Sequence, residues 1–125
     1  MQQTTIVNPF KANLADIGKI TARLEKLLRA VGEARGRQRL TVEEAFIFLA
    51  VGHIGVSLSG SGLAIRPVTC IDVAAMLRIP RETVRRKAAN LADINLVSMT
   101  TRGIMIENLD EWRRLVEAFC SDAMP

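Results

Sequence analysis

A single break most constrains what this chain can fold into. Between Thr69 and Asn95, two helix-forming runs are separated only by Arg78-Ile79-Pro80. Proline fixes φ and has no N–H, so it suits the first turn of a new helix and would damage the middle of a longer one. The first run, about Cys70 to Leu77, follows Thr69, with Asp72 three residues on as a weak capping-box signal. Val73, Ala74, Met76 and Leu77 give it an apolar side. The second run, about Pro80 to Asn95, keeps Val84, Ala88 and Leu91 on one side at spacings of four and three. Small Ala74 and Ala75 would let the two helices approach closely. After Leu96 the period changes to two. Val97 and Met99, then Ile104 and Ile106, flank Thr100-Thr101-Arg102-Gly103, where Gly103 can supply a positive φ for a hairpin turn. Two helices across a tight turn, followed by a two-stranded wing, make a DNA-reading unit.

The charge pattern agrees with that reading. The net charge is only +4, but the window from Arg78 to Lys87 holds Arg78, Arg81, Arg85, Arg86 and Lys87 against Glu82 alone. The rest of the chain is balanced, so the whole positive excess lies at the turn and the second helix. At about 100° per residue, the direction opposite Val84, Ala88 and Leu91 passes through Arg86, flanked by Glu82, Ala89 and Asn90. Arg81, Thr83 and Arg85 lie at the edges of that face. Arginine can bond bidentately to guanine, asparagine to adenine, and glutamate can accept from cytosine. The edge arginines and the helix N-terminus suit phosphates. Arg102, at the hairpin tip, would enter a minor groove or hold the backbone. The candidate DNA-binding set is therefore Arg81, Glu82, Thr83, Arg85, Arg86, Asn90 and Arg102.

The run IDVAAMLRIPRETVRRKAANLADINLV resembles the helix-turn-helix of bacterial winged-helix transcription regulators. Arg81 to Val84, R-E-T-V, is similar to the start of the recognition helix in cyclic-AMP-receptor-like regulators. Ala74 falls where those families place a small residue, and Val84 where they place a β-branched core residue. Arg78 stands where glycine is usual. The order of elements along most of the chain is similar to that of MarR-type regulators, which dimerise through terminal helices. This chain ends about one helix earlier than they do, and its wing lacks their acidic-x-arginine signature. The resemblance implies their architecture and a DNA-binding role; it does not extend to their ligand chemistry.

The flanks are read in that light. Asn8-Pro9 caps and starts a helix expected over residues 9–32, with Phe10, Leu14, Ile17, Leu24, Leu28 and Val31 in a four-three stripe, widened by Ile20 and Leu27. Gly32 would end it, leaving Glu33 to Arg39 as a polar linker. A stripe of three heptads suggests a partner helix, most simply that of a second copy. Thr41 and Glu44 form a T-x-x-E capping box ahead of a helix from Val42 to about Ser57, apolar almost all round and so expected to be central and buried. His53 lies within it, as a structural residue. Ser59-Gly60-Ser61-Gly62 reads as a flexible loop. Ile65 to Val68 reads as a strand pairing with the wing, Pro67 suiting its edge. Asn108 and Glu111 cap a last helix, to about residue 121, with Leu109, Trp112, Leu115, Val116 and Phe119 along one side.

A chain of 125 residues with 49% hydrophobic and 24% charged residues fits one globular domain, residues 1–125. Tyrosine is absent and Trp112 is joined by only four phenylalanines, which argues against an aromatic platform for single strands. The start lacks a secretory leader, and the apolar run from Ala45 to Leu58 is too short and interrupted to span a bilayer, so the cytoplasm is the expected compartment. Cys70 and Cys120 are read as structural; a thiolate at Cys70, in a helix first turn, would allow a redox switch. No nucleophile–base pair, carboxylate pair, metal-ligand cluster or phosphate loop stands out. The expectation is a mainly α fold with a small β wing: a winged helix-turn-helix at residues 69–107, a long N-terminal and a short C-terminal (108–121) dimerisation helix, and no enzyme activity, cofactor or metal. Its partners would be double-stranded DNA and a second copy. The alternative is a winged helix serving as a protein-interaction module.

Overall fold

The structure, a computed structural model, describes residues 14–120. The elements are helix α1 (Leu14–Gln38), helix α2 (Val42–Gly55), strands β1 (Val56–Ser59) and β2 (Gly62–Ile65), helices α3 (Cys70–Leu77) and α4 (Arg81–Asp93), strands β3 (Val97–Thr100) and β4 (Gly103–Ile106), and helix α5 (Leu109–Cys120). The protein is thus mainly helical, with two small antiparallel hairpins. No helix among the described residues is long and apolar enough to cross a membrane.

The core is built around α2. Its capping box closes as its spacing implies: the Glu44 amide donates to Thr41 Oγ1 at 3.1 Å and the Thr41 amide donates to Glu44 Oε1 at 2.9 Å. Ala45, Ile47, Phe48, Ala50 and Val51 are buried, and α4 sets Val84, Ala88 and Leu91 against this helix. On another side, the Trp112 ring of α5 packs against Gly52, where a Cβ would stand 2.0 Å from ring atoms. The ring's Nε1 donates to Leu49 O at 3.2 Å, so a close backbone approach seats the one tryptophan. Leu115 is buried farther along α5.

Two stretches differ from the sequence reading. Gly32 does not end the first helix: α1 continues through Glu33 to Gln38, and the expected linker is helical. One glycine costs a helix only about 1 kcal/mol relative to alanine, and tertiary contacts outweigh it. Ala34 is buried, and Arg37 donates to Glu33 within the helix and to Glu111 Oε1 of α5 at 3.1 Å. The terminating left-handed residue is Arg39, φ 58°. The expected start at Asn8-Pro9 and Phe10, and residue 121, lie outside the described residues. The second difference is β1–β2. The expected helix to Ser57 stops at Gly55, the expected loop at 59–62 is a hairpin turn, and Ile65 pairs with Val56. Of the expected third wing strand only Val68 joins the β3–β4 hairpin, exchanging two backbone bonds of 2.8 Å with Ile104.

His53 is exposed, contrary to its expected burial, because it sits on the outer side of α2 near the helix end. It borders an apolar groove of about 190 Å³ between α2, α3 and α5, lined also by Phe46, Leu49, Met76 and Phe119. Cys70 is half-buried and Cys120 exposed, so the latter has no core role.

Candidate nucleic-acid interface

The site begins with the turn. Thr69 caps α3 by accepting from the Asp72 amide at 3.1 Å. Arg78 ends the helix in the left-handed region, φ 56° and ψ 48°, and its N–H bonds back to Ala74 O. An arginine therefore takes the conformation for which glycine is the usual residue, at a backbone cost of about 1–2 kcal/mol. Pro80 then stands as N-cap of α4, with φ −61° and no side-chain cap bond. The pairing of the two helices is fixed by Val73 and Val84, both fully buried. Ala74 is half-buried between them, whereas Ala75 is exposed and plays no part in that approach.

With Val84, Ala88 and Leu91 committed to the core, α4 turns its other side outward. Arg81, Glu82, Arg85 and Arg86 are exposed, and Thr83 is half-buried. Glu82 and Arg85 are brought together. Arg85 Nε lies 3.0 Å from both carboxylate oxygens, and Nη2 also donates to Oε1. The Arg85 hydrogen bond holds the Glu82 carboxyl below the usual carboxylate range, and the Glu82 carboxylate in turn raises the Arg85 guanidinium. Arg81 and Arg86 act on Glu82 only through their charge at longer range, and neither they nor Arg78 form an ion pair or side-chain hydrogen bond among the described residues. Arg102 is exposed at the tip of the β3–β4 turn, where its amide donates to Thr100 Oγ1 at 3.1 Å. Gly103 follows at φ 139°, and a Cβ there would meet Val68 O at 2.4 Å, so this turn and the Val68–Ile104 bridge require glycine.

Asn90 differs from the rest of the candidate set. The residue is exposed, but its Nδ2 donates to Glu44 Oε2 of α2 at 3.0 Å, so its amide group is already engaged with a neighbouring helix. Beside it, Lys87 Nζ lies 3.6 Å from Glu43 Oε1, with only 13% of its side chain exposed. Two polar groups on one flank of α4 are thus tied to the first turn of α2. Burial raises the Glu44 pKa most strongly, but the Thr41 amide, the Asn90 amide, the Lys87 charge and the Thr41 hydroxyl together bring it below the ordinary glutamate value. Sequence reasoning did not find this tie. The capping box was legible, but nothing local assigns the second oxygen of Glu44 to a residue 46 positions away.

Comparison with protein-family models, curated proteins and solved structures returns no match for this chain.

Proposed function

We propose that the chain is a homodimeric, sequence-specific, double-stranded DNA-binding transcription regulator of the winged helix-turn-helix type. In this reading α4 enters the major groove and the β3–β4 hairpin is the wing. The observation that carries it is the concentration of the chain's positive excess in residues 78–87, where four of the five basic side chains, Arg78, Arg81, Arg85 and Arg86, are exposed on α4 and the turn before it. Arg86 points directly away from the core strip and would meet a base edge. Arg78 and Arg81, beside the uncapped N-terminus of α4, suit phosphates. Arg102 would reach a neighbouring groove from the hairpin tip.

The exposed face of α1 supports the second copy. Leu14, Ile17, Ile20, Leu24 and Leu28 are 71%, 38%, 64%, 50% and 61% exposed. Most helix stability in proteins comes from packing an amphipathic face, and a stripe of five large exposed apolar side chains is a surface to be covered. Two such copies would present two copies of α4 to half-sites about 34–36 Å apart, so the preferred site would be a pseudo-palindrome.

Selection from a random duplex pool, followed by titration at several salt concentrations, tests this reading. The expected result is an enriched inverted repeat whose affinity falls with salt as roughly −0.9 per phosphate neutralised on logarithmic axes. No duplex binding at low salt, or a flat salt dependence, would instead favour the protein-interaction module.

A further inference from the structure

The fully buried apolar strip of α4 is three residues, Val84, Ala88 and Leu91, with alanine at its centre. Apolar contact is non-directional, so such a strip fixes where a helix lies better than how far it is rolled. A roll of about 20° moves a side-chain tip about 5–6 Å from the helix axis by roughly 2 Å, enough to take a guanidinium out of register with a base edge. A directional contact on the helix flank is what resists rolling. The structure has one in the Glu44–Asn90 hydrogen bond of 3.0 Å, reinforced by the Lys87–Glu43 pair at 3.6 Å. Glu44 is itself immobilised, since its other oxygen takes the Thr41 amide and its residue is only 8% exposed.

We propose that Glu44 is a positioning residue for sequence reading: it caps α2 with one oxygen and sets the rotation of α4, through Asn90, with the other. The inference rests on the DNA-binding reading. It gives the Asn90 amide, on an exposed residue, to the tie with α2, through which it aims Arg86 without touching a base itself.

The test exploits the polarity of the pair. Asn90→Asp sets a third carboxylate beside Glu43 and Glu44 around the single Lys87 ammonium, and the tie is lost. Adding Glu44→Gln restores it with the roles reversed: the new amide donates from its Nε2 to the carboxylate introduced on α4, while its Oε1 still accepts the Thr41 amide. Binding of the selected duplex and of a scrambled duplex is measured for the unaltered chain, Asn90→Asp, and the double variant, with thermal unfolding followed in parallel. The expected result is a fall of about tenfold in the selected-to-scrambled affinity ratio for Asn90→Asp, within the range of coupling between contacting residues. The double variant should recover most of that ratio. A purely structural role would weaken both duplexes alike and track the unfolding temperature, and that outcome overturns the proposal. So does a ratio left unchanged in Asn90→Asp. A ratio lost in Asn90→Asp and not recovered in the double variant would make Asn90 a direct base contact, and also overturns it. If the unaltered chain binds no duplex, the DNA-binding reading fails and the positioning role falls with it. If the unaltered chain binds and discriminates while the variants give any of the three overturning results, only the positioning role fails.

Discussion

Arg86 and Arg85 are neighbours in sequence with different surroundings. Arg86 lies opposite the buried strip and meets Glu82 only through longer-range charge, whereas Arg85 is hydrogen-bonded to Glu82 directly. Arg86→Ala is expected to cost about 1–3 kcal/mol on the selected site and to relax preference at one base pair per half-site. Arg85→Ala and Arg102→Ala should weaken selected and scrambled duplexes evenly and make the salt slope shallower. Measuring each variant on both duplexes at two salt concentrations checks this; equal weakening by Arg86→Ala would mean that α4 is oriented differently. Arg78 offers a separate residue-scale test. Glycine at its left-handed position removes a steric cost, so Arg78→Gly should stabilise the fold by up to about 1 kcal/mol in urea unfolding. A loss of stability would show that the arginine side chain makes up for its backbone. The turn was legible at this scale because proline and the buried valines are local signals. The resemblance put Arg78 at the position where glycine is usual, and Arg78 does take the left-handed conformation there, which propensity alone would have given to glycine.

At the scale of elements, periodicity located the core-facing strips of α4 and α5, and capping residues located three helix starts. Periodicity failed where tertiary contact decided the outcome. Gly32 read as a terminator, yet α1 continues because Ala34 is buried and Arg37 reaches Glu111 across the α1–α5 contact. Glu111 is only 5% exposed, and its Oε2 has no hydrogen-bond partner among the described residues. Arg37→Ala should therefore leave this carboxylate without its charge partner and destabilise the protein by about 1–3 kcal/mol in thermal or denaturant unfolding. An unchanged stability would mean that water serves Glu111 as well as Arg37 does. The β1–β2 hairpin was missed for a different reason. Its strands carry no alternation that one buried face would impose: Ser57, Leu58 and Ser59 are all exposed, as are Leu63 and Ala64.

For the whole molecule, the proposed assembly turns on α1. Replacing Leu24 and Leu28 together by glutamate should shift the light-scattering mass from dimer to monomer while leaving the unfolding of each subunit nearly unchanged. An unaltered mass would place the subunit contact elsewhere. The two ends of α1 do different work. Near its C-terminal end Ala30 and Ala34 are buried in the subunit, whereas the exposed stripe begins at Leu14 and is centred roughly 120° away around the axis at 3.6 residues per turn. A rigid helix joining two such faces acts as a keyed shaft: it fixes the angle between its ends as well as their separation. Inserting one residue between Leu28 and Ala30 would leave both faces chemically intact, yet would turn one relative to the other by about 100° and advance it by about 1.5 Å. Inserting seven would nearly restore the angle, within about 20°. In the proposed dimer the length of α1 would thus be constrained in steps close to whole heptads, and the spacing between two DNA-facing surfaces would change by the same gearing.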